Sequence, residues 1–522
     1  MLATLLSATL HGLDGRVIRV EVDVAPGLPG FSIVGLPDAA LQEARERVRG
    51  AIRNSGFAYP PRRITVNLAP ADLRKGGASL DLAIAAAILV GSEQVLANGR
   101  WALVGELSLG GEVRAVPGLL PMVAALARRG VRRVVVPADG LAEARLATGV
   151  EAMPAATLGE AMGLLRSRSS RRRLPAEAAR FELTRGEEAP VPVRATGTSA
   201  LNDAPDLGDV RGQLEARRAL EIALAGGHGL LFVGPPGAGK TLLARTVPGL
   251  LPPLGDEEAL SATIVESVAA EKPIVGLVRR APFRAPHHTI SYAGMVGGGP
   301  RLSPGEVTMA TNGVLFLDEL PEFDRDVLEA LRQPLEDGHV TIVRAGRAET
   351  FPARFQLIAA MNPCPCGKAG VEGVACTCPR SVAERYADRI SGPLRDRIDL
   401  WVTMPRVPPA LLVGDERPET SAIVAERIAT ARGRQLGRRG LLNGRLAGRA
   451  LRGACRLTGS TSDRAVQLAE LDGLSARGTE RLLRVARTIA DLAGAEVVGS
   501  DALEEAARFR SPVAALERRM AV

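Results

Sequence analysis

Along residues 1–165 the apolar positions switch between two rhythms. Arg16–Val24 and Arg63–Ala69 place an apolar residue at every second position, as a strand with one buried face does. Asp38–Asn54 and Leu80–Val90 carry helical stretches, and Val131–Pro137 reads as a short buried strand. The mixture predicts an α+β domain over 1–165. The periodicity then stops. Arg166–Arg173 holds five arginines in eight residues, and Pro190, Pro192 and Gly197 follow, which predicts an Arg/Pro-rich linker over 166–205. Over 206–405 the order strand, glycine loop, helix repeats, which predicts an α/β domain with a mainly parallel sheet. Over 406–522 helices dominate: Ser421–Gln435, Ser462–Leu471, Ala476–Ala493 and Asp501–Arg508, with Asp463 and Asp501 near plausible N-caps.

Composition narrows the class. Among 522 residues, 46% are hydrophobic and 24% charged, as in a soluble globular protein. The longest apolar run, Leu82–Val90, is far short of the roughly 20 residues a membrane span needs. Met1–Leu10 is apolar but has no basic start and no small-residue cleavage pattern, so a cytoplasmic protein with no membrane partner is expected. The net charge of +8 is compatible with a polyanionic partner. The cations are almost all arginine, with lysine only at positions 75, 240, 272 and 368. A lysine kept against that bias points to chemistry. Five cysteines make no extracellular disulfide framework, yet four of them fall between Cys364 and Cys378.

The sharpest motif follows the apolar strand Leu230–Val233. Gly234-Pro235-Pro236-Gly237-Ala238-Gly239-Lys240-Thr241 fits the P-loop pattern G-x-x-x-x-G-K-[ST] between a strand and a helix. Its glycines let backbone N–H groups turn toward phosphates, and the following helix adds its positive end. Lys240 is then expected on the β- and γ-phosphates of ATP, and the Thr241 hydroxyl on Mg2+. Val314–Leu317 is a second apolar strand, ending in Asp318 and Glu319. Such a pair suits magnesium binding by Asp318 and activation of the attacking water by Glu319. A third apolar strand ends at Asn362, placed to sense the γ-phosphate. Arg395 and Arg397 follow, and either suits charge stabilisation of the transferring phosphoryl group. Reaching a neighbour's phosphate would require a ring.

These residues resemble the AAA+ ATPases, in the branch shared by magnesium chelatase motor subunits and MCM helicases. Phe283–Ser291, Gly297–Gly299 and Pro304–Glu306 look like the chelatase-type insert, and the whole chain resembles the YifB/ComM family of magnesium chelatase-like proteins. The resemblance implies a multidomain α/β protein: a Lon-protease-like N-terminal domain, an AAA+ core of magnesium chelatase type and a helical C-terminal lid. It implies a homo-hexameric, ATP-hydrolysing motor on branched or single-stranded DNA, acting in branch migration during recombination or natural transformation. Carried over residue by residue, Leu394–Asp399 makes Arg397 the finger acting on a neighbour, ahead of Arg395. Leu474–Val485 resembles the sensor-2 helix, which makes Arg477 its phosphate-contacting residue, with Arg484 second. The alternation around Ala345-Gly346 reads as a hairpin similar to the pore hairpin of MCM helicases, with Arg344 and Arg347 at its tip to meet DNA phosphates.

Asp72–Leu82 resembles the Lon segment that bears the protease serine, here Ser79, but the position of the Lon lysine holds Leu120. A serine without a base in reach is no nucleophile, so peptidase activity is not expected and a DNA-binding or ring-forming platform is. Cys364, Cys366, Cys376 and Cys378 could hold Zn2+ tetrahedrally, although their C-x-C spacing is tighter than the usual C-x2–4-C; reduced thiols are the other reading. Cys455 is assigned no role, and His287-His288 a structural one. Two other functions fit parts of the pattern: a metal-chelatase motor subunit, and an ATP-dependent peptidase.

Overall fold

The computed structural model describes residues 1–36, 39–71, 75, 77–166, 204–271, 273–299, 302–344, 347–369, 374–414 and 418–510. Residues 167–203 of the Arg/Pro-rich linker thus lie outside the described residues. The chain forms two compact units, Met1–Thr196 with Leu260–Val278, and Gly197–Ala259 with Arg279–Val522.

The first unit is a mixed seven-stranded sheet. Its order is Gly30–Val34, Arg63–Ala69, Asp14–Ala25, Leu2–His11, Ala102–Leu103, Arg133–Pro137, Glu151–Ala155. Side chains alternate between two cores, as successive residues of a strand must. Leu103 and Val135 enter one, and Ala102, Val104, Val134 and Val136 the other. Helices Ala39–Asn54 and Asp81–Gly91 cover the first face, and helix Leu119–Arg128 the second. After Asp81 the Asp81–Gly91 helix is apolar on every side, and it is buried all round apart from Val90. Ile264, from the distant segment Leu260–Val278, packs onto the second core. In the same unit the Ser267 hydroxyl donates to Glu143 (2.5 Å).

Asp81 is the costly group in this core. Its side chain is fully buried, and Arg47 Nε donates to its carboxylate at 2.7 Å. Burial outweighs that bond and lifts the carboxyl from 3.8 to about 6. An acid whose folded pKa exceeds its unfolded value holds the extra proton when folded. Its contribution is therefore most favourable on the acid side and is lost as pH rises from about 4 to about 6. Between pH 5 and 7 the wild type should lose about 1 kcal/mol more stability than Asp81→Asn, which cannot titrate. Urea unfolding of both proteins at the two pH values, followed in the N-terminal unit, checks this. Parallel slopes would show that Asp81 is ionised throughout.

The second unit is built on five strands in the order Phe283–Arg284, Val314–Leu317, Gln356–Met361, Leu230–Val233, Leu400–Thr403. Every pairing is parallel. The three central strands are buried along their whole length, which explains their unbroken apolar runs. In such a sheet, ligands bind at the carboxyl ends of the strands. Here Gly234, Asp318 and Asn362 all follow strand ends directly.

Helices Ser421–Arg439, Gly448–Cys455, Gly459–Leu471, Ala476–Leu492 and Ser500–Arg508 follow the sheet. They share its core: Leu230, Phe232 and Leu400 cluster with Ile428, Leu482, Val485 and Leu503. A buried polar chain reinforces the join. His228 bonds Asp399 (3.0 Å) and Thr488 (2.8 Å), and Asn443 donates to Asp491 (2.8 Å).

The pattern of the sequence misplaced three details. Leu260–Val278, assigned to the α/β core, belongs to the first unit. The helix expected to begin near Asp463 starts at Gly459, capped by Thr458 with Thr461 reciprocating. Asp501 lies inside the first turn of its helix, where a carboxylate suits the helix dipole, and Gly499 is the N-cap.

Candidate functional site

The P-loop backbone is shaped by its glycines. A Cβ at Gly234 would fall 2.3 Å from the Met404 carbonyl oxygen, so no larger residue fits beside that chain. Gly237 and Gly239 sit at φ 79° and 89°, in the left-handed region. Gly239 caps the helix Lys240–Arg245. The loop borders a cleft of about 290 Å³ lined by Pro236, Gly237, Ala238, Gly239, Lys240, Thr241, Asp318, Glu319 and Asn362, among others.

Inside the cleft the expected residues touch one another. Lys240 Nζ donates to the carbonyls of Gly234 (2.6 Å) and Pro235 (2.9 Å) and to Asn362 Oδ1 (3.1 Å). Its burial pulls the ammonium below its ordinary range, with Asp318 and Glu319 opposing. The Thr241 hydroxyl donates to Asp318 Oδ2 at 2.6 Å, and the Glu319 N–H to Asp318 Oδ1 at 3.0 Å. Two hard oxygen donors therefore stand together at the cleft, the chemistry that Mg2+ prefers. Glu319 adopts φ 53°, a left-handed backbone that is uncommon for a non-glycine residue and occurs at functional sites. Its carboxylate is half-exposed and lies 3.4 Å from His288 Nδ1. Sequence reasoning missed that contact, because His288 comes from the loop after the edge strand Phe283–Arg284. His288 also stands edge-on to Phe323, and His287 packs against it.

Arg397 and Arg477 are not in this cleft. Arg397 is largely buried, paired with Glu336, and donates to the Pro393 carbonyl (3.0 Å). Arg477 is exposed, and its charge acts on Arg397 together with those of Arg332 and Arg481. The two candidates thus share one basic region. Their rivals are engaged locally. Arg395 donates to the carbonyls of Ile390 and Ala387. Arg484 donates to the Leu446 carbonyl. Arg481, which sequence reasoning passed over, grips the Asp396 carbonyl at 2.7 Å and its carboxylate at 3.0 Å. It holds the segment that carries Arg397.

The expected hairpin forms as strands His339–Arg344 and Arg347–Pro352, in which Arg344 faces Arg347. The side chains of those two arginines, and Ala345-Gly346, lie outside the described residues. In the first unit the Ser79 hydroxyl donates to the Ala8 carbonyl (3.1 Å), and Lys75 Nζ to that of Pro70. Leu120 is buried in an apolar cluster. Asp72 to Arg74 and Gly76 lie outside the described residues. The four clustered cysteines converge: their sulfurs all lie within 4.8 Å of one another. Backbone N–H groups of Lys368 and Thr377 pull the Cys366 thiol down to about 5. Cys455 is buried elsewhere, and its burial pushes that thiol up to about 11.

A parallel sheet with a P-loop on one strand, paired acids on the next but one and a polar sensor between them defines an AAA+ ATPase fold of magnesium chelatase type. Comparison with known families agrees. The family profile described as magnesium chelatase, subunit ChlI, matches residues 206–412. Two companions, the subunit ChlI of Mg-chelatase and the ChlI C-terminal profile, match residues 20–140 and 418–510. The chain is 42% identical over 503 residues to the uncharacterized protein YifB of Escherichia coli, covering 96% of this chain and 95% of that one. It is 41% identical over 526 residues to competence protein ComM of Haemophilus influenzae, covering 99% of each. A weaker likeness, 25% over 136 residues, links 25% of the chain to 17% of Lon protease 1 from Hydrogenovibrio crunogenus. The chain belongs to the YifB/ComM family of magnesium chelatase-like AAA+ proteins. Among the described residues, no helix is long and apolar enough to cross a membrane.

Proposed function

We propose that the chain is an ATP-hydrolysing ring motor that acts on DNA, as a branch-migration helicase in recombination or natural transformation. The observation that carries the ATPase part is the convergence of Lys240, Thr241, Asp318, Glu319 and Asn362 on one cleft. Gly234 to Thr241 wrap the phosphates of ATP, and Lys240 leaves its carbonyl partners for the β- and γ-oxygens. Thr241 and Asp318 are the residues that would hold Mg2+, which when bound supplies charge neutralisation at the phosphates. Glu319 accepts a proton from the attacking water, and Asn362 orients that water or the γ-phosphate. Arg397 and Arg477 lie outside their own cleft, so both act on the nucleotide of the neighbouring subunit in a homo-hexamer.

The DNA part rests on the competence relative and on the two-stranded hairpin that turns between Arg344 and Arg347. Arginines there would meet phosphates and give affinity without sequence preference, which suits translocation. The N-terminal region over 1–165 serves as a Lon-protease-like platform without peptidase work, joined by a 166–205 linker. The helices over 406–522 serve as the lid of the 206–405 core. The cysteine cluster binds Zn2+, and the protein works in the cytoplasm.

The chelatase profiles favour a second reading, a motor subunit that drives metal insertion into a tetrapyrrole. ATP hydrolysis measured with forked, four-way, single-stranded and duplex DNA at two salt concentrations separates the two. The DNA motor should hydrolyse ATP several-fold faster with its preferred DNA, and added salt should erase the gain. A rate indifferent to every DNA would leave the chelatase-like reading.

A further inference from the structure

Four thiol sulfurs converge beside the nucleotide cleft at the spacing of a tetrahedral metal site. Cys364 Sγ lies 3.4 Å from Cys366 Sγ and 3.6 Å from Cys376 Sγ, and the latter two are 3.6 Å apart. With Cys378, all four fall within 4.8 Å of one another. Zinc–sulfur bonds of about 2.3 Å place the corners of a tetrahedron about 3.8 Å apart. A disulfide would need about 2 Å, so these are separate thiols converging on one point. Their outer contacts suit thiolates. The Ala369 N–H donates to Cys364 Sγ (3.3 Å) and the Cys378 N–H to Cys376 Sγ (3.4 Å). Backbone donors of this kind orient and stabilise metal-bound sulfur.

The cluster touches the cleft in three places. The turn that starts at Cys364 closes with the Gly367 N–H on the Cys364 carbonyl (2.9 Å), and Gly367 sits at φ +73°. A Cβ on Gly367 would stand 2.4 Å from Pro236 Cδ, so the turn lies flat against the P-loop. Asn362, the acceptor for Lys240, is two residues upstream of the first thiol. After Cys378, Pro379 caps the helix Arg380–Ala387, whose Tyr386 hydroxyl receives the backbone N–H of Asn362. One joint therefore fixes a P-loop wall, the Asn362 backbone and a neighbouring helix.

We propose that Cys364, Cys366, Cys376 and Cys378 form a tetrathiolate zinc site that braces Pro236 and Asn362, so that zinc loading sets the affinity of the cleft for ATP. The inference rests on Gly234–Thr241 being the nucleotide site. Four short-range ligands on a loop bind far more tightly together than apart, and they would add to the Gly367–Cys364 backbone bond and the small buried cluster of Cys364, Ala369 and Ala383 that shape the turn. The bound metal is structural, since all four positions around it are filled by the chain.

The test uses the full chain, with zinc content and the affinity for a fluorescent ATP analogue read in parallel. The chain should carry about one zinc. Stripping the metal should weaken nucleotide binding about tenfold or more, and zinc alone should restore it. Cys376→Ser, at the exposed corner, should lower zinc retention and nucleotide affinity together. Gly367→Ala keeps every thiol; it should keep its zinc and still bind nucleotide more weakly, because the new methyl displaces Pro236. A chain that neither retains nor reloads zinc overturns the site. Zinc-loaded Gly367→Ala with wild-type affinity overturns the brace, even if the stripped protein unfolds. Loaded wild type that binds no nucleotide would instead sink the nucleotide reading.

Discussion

Glu319→Gln is expected to bind ATP as the wild type does and to hydrolyse it about 100- to 10,000-fold more slowly, the range spanned by a positioned general base. The argument is geometric. The residues that would grip phosphate and magnesium, Lys240, Thr241 and Asp318, are held by bonds to the loop, to Asn362 and to one another. Glutamine keeps the length and polarity of the side chain and preserves the backbone bond from residue 319 to Asp318. It loses the negative charge and, with it, the ability to take a proton. Lys240→Ala should differ in kind, since it removes the cation from the phosphate path and weakens binding itself. Titration with a fluorescent ATP analogue, followed by phosphate release at saturation, tells the two apart. Hydrolysis by Glu319→Gln within a few-fold of wild type would mean that another group activates the water. His288, 3.4 Å from the same carboxylate, would be the first to examine.

The candidate nucleotide cleft was legible because its motifs are local. A P-loop is one strand, eight residues and one helix start, and strand ends at Asp318 and Asn362 are marked by apolar runs stopping at a polar residue. The parallel sheet then carries these ends to one place without help from distant sequence. What sequence could not show depends on pairing across long separations. The first strand, Leu2–His11, passed for a mere apolar start, because its partners Asp14–Ala25 and Ala102–Leu103 decide that it is a strand. Leu260–Val278 looked like part of the α/β core, since it follows the P-loop helix, yet its apolar side chain Ile264 finds the core of the first unit. Arg481 reads as one arginine among many in Ala476–Leu492. Only the fold brings it to the Asp396 carbonyl, where it fixes the Arg397 segment. The Cys cluster falls between these cases. Four cysteines within fifteen residues suggested a metal despite their tight C-x-C spacing, but the seat of the turn against Pro236 is a property of the fold.

Mixing two inactive variants should restore activity, and this is the strongest test of a ring. Arg397→Ala alone is expected to lose about a thousandfold or more in turnover, the usual worth of an arginine finger. Lys240→Ala alone should be equally silent for the opposite reason, an intact finger beside a dead cleft. Within one chain Arg397 pairs with Glu336 and donates to Pro393, away from the cleft residues. If it serves a neighbour, an Arg397→Ala cleft next to a Lys240→Ala subunit is complete: Lys240, Asp318 and Glu319 on one side, Arg397 on the other. Random head-to-tail assembly from equal amounts makes about a quarter of the interfaces complete. Activity should therefore rise from background toward about a quarter of wild type, less whatever coordinated firing around the ring removes. Arg397→Lys should not substitute for alanine's partner in this recovery as arginine does, because an ammonium cannot span two phosphate oxygens as a planar guanidinium can. Native mass spectrometry of the mixture shows whether hybrid rings exist. Hybrid rings with no recovered hydrolysis would place Arg397 in its own subunit's chemistry, or outside the chemistry altogether, and the pairing with Glu336 would then be its role.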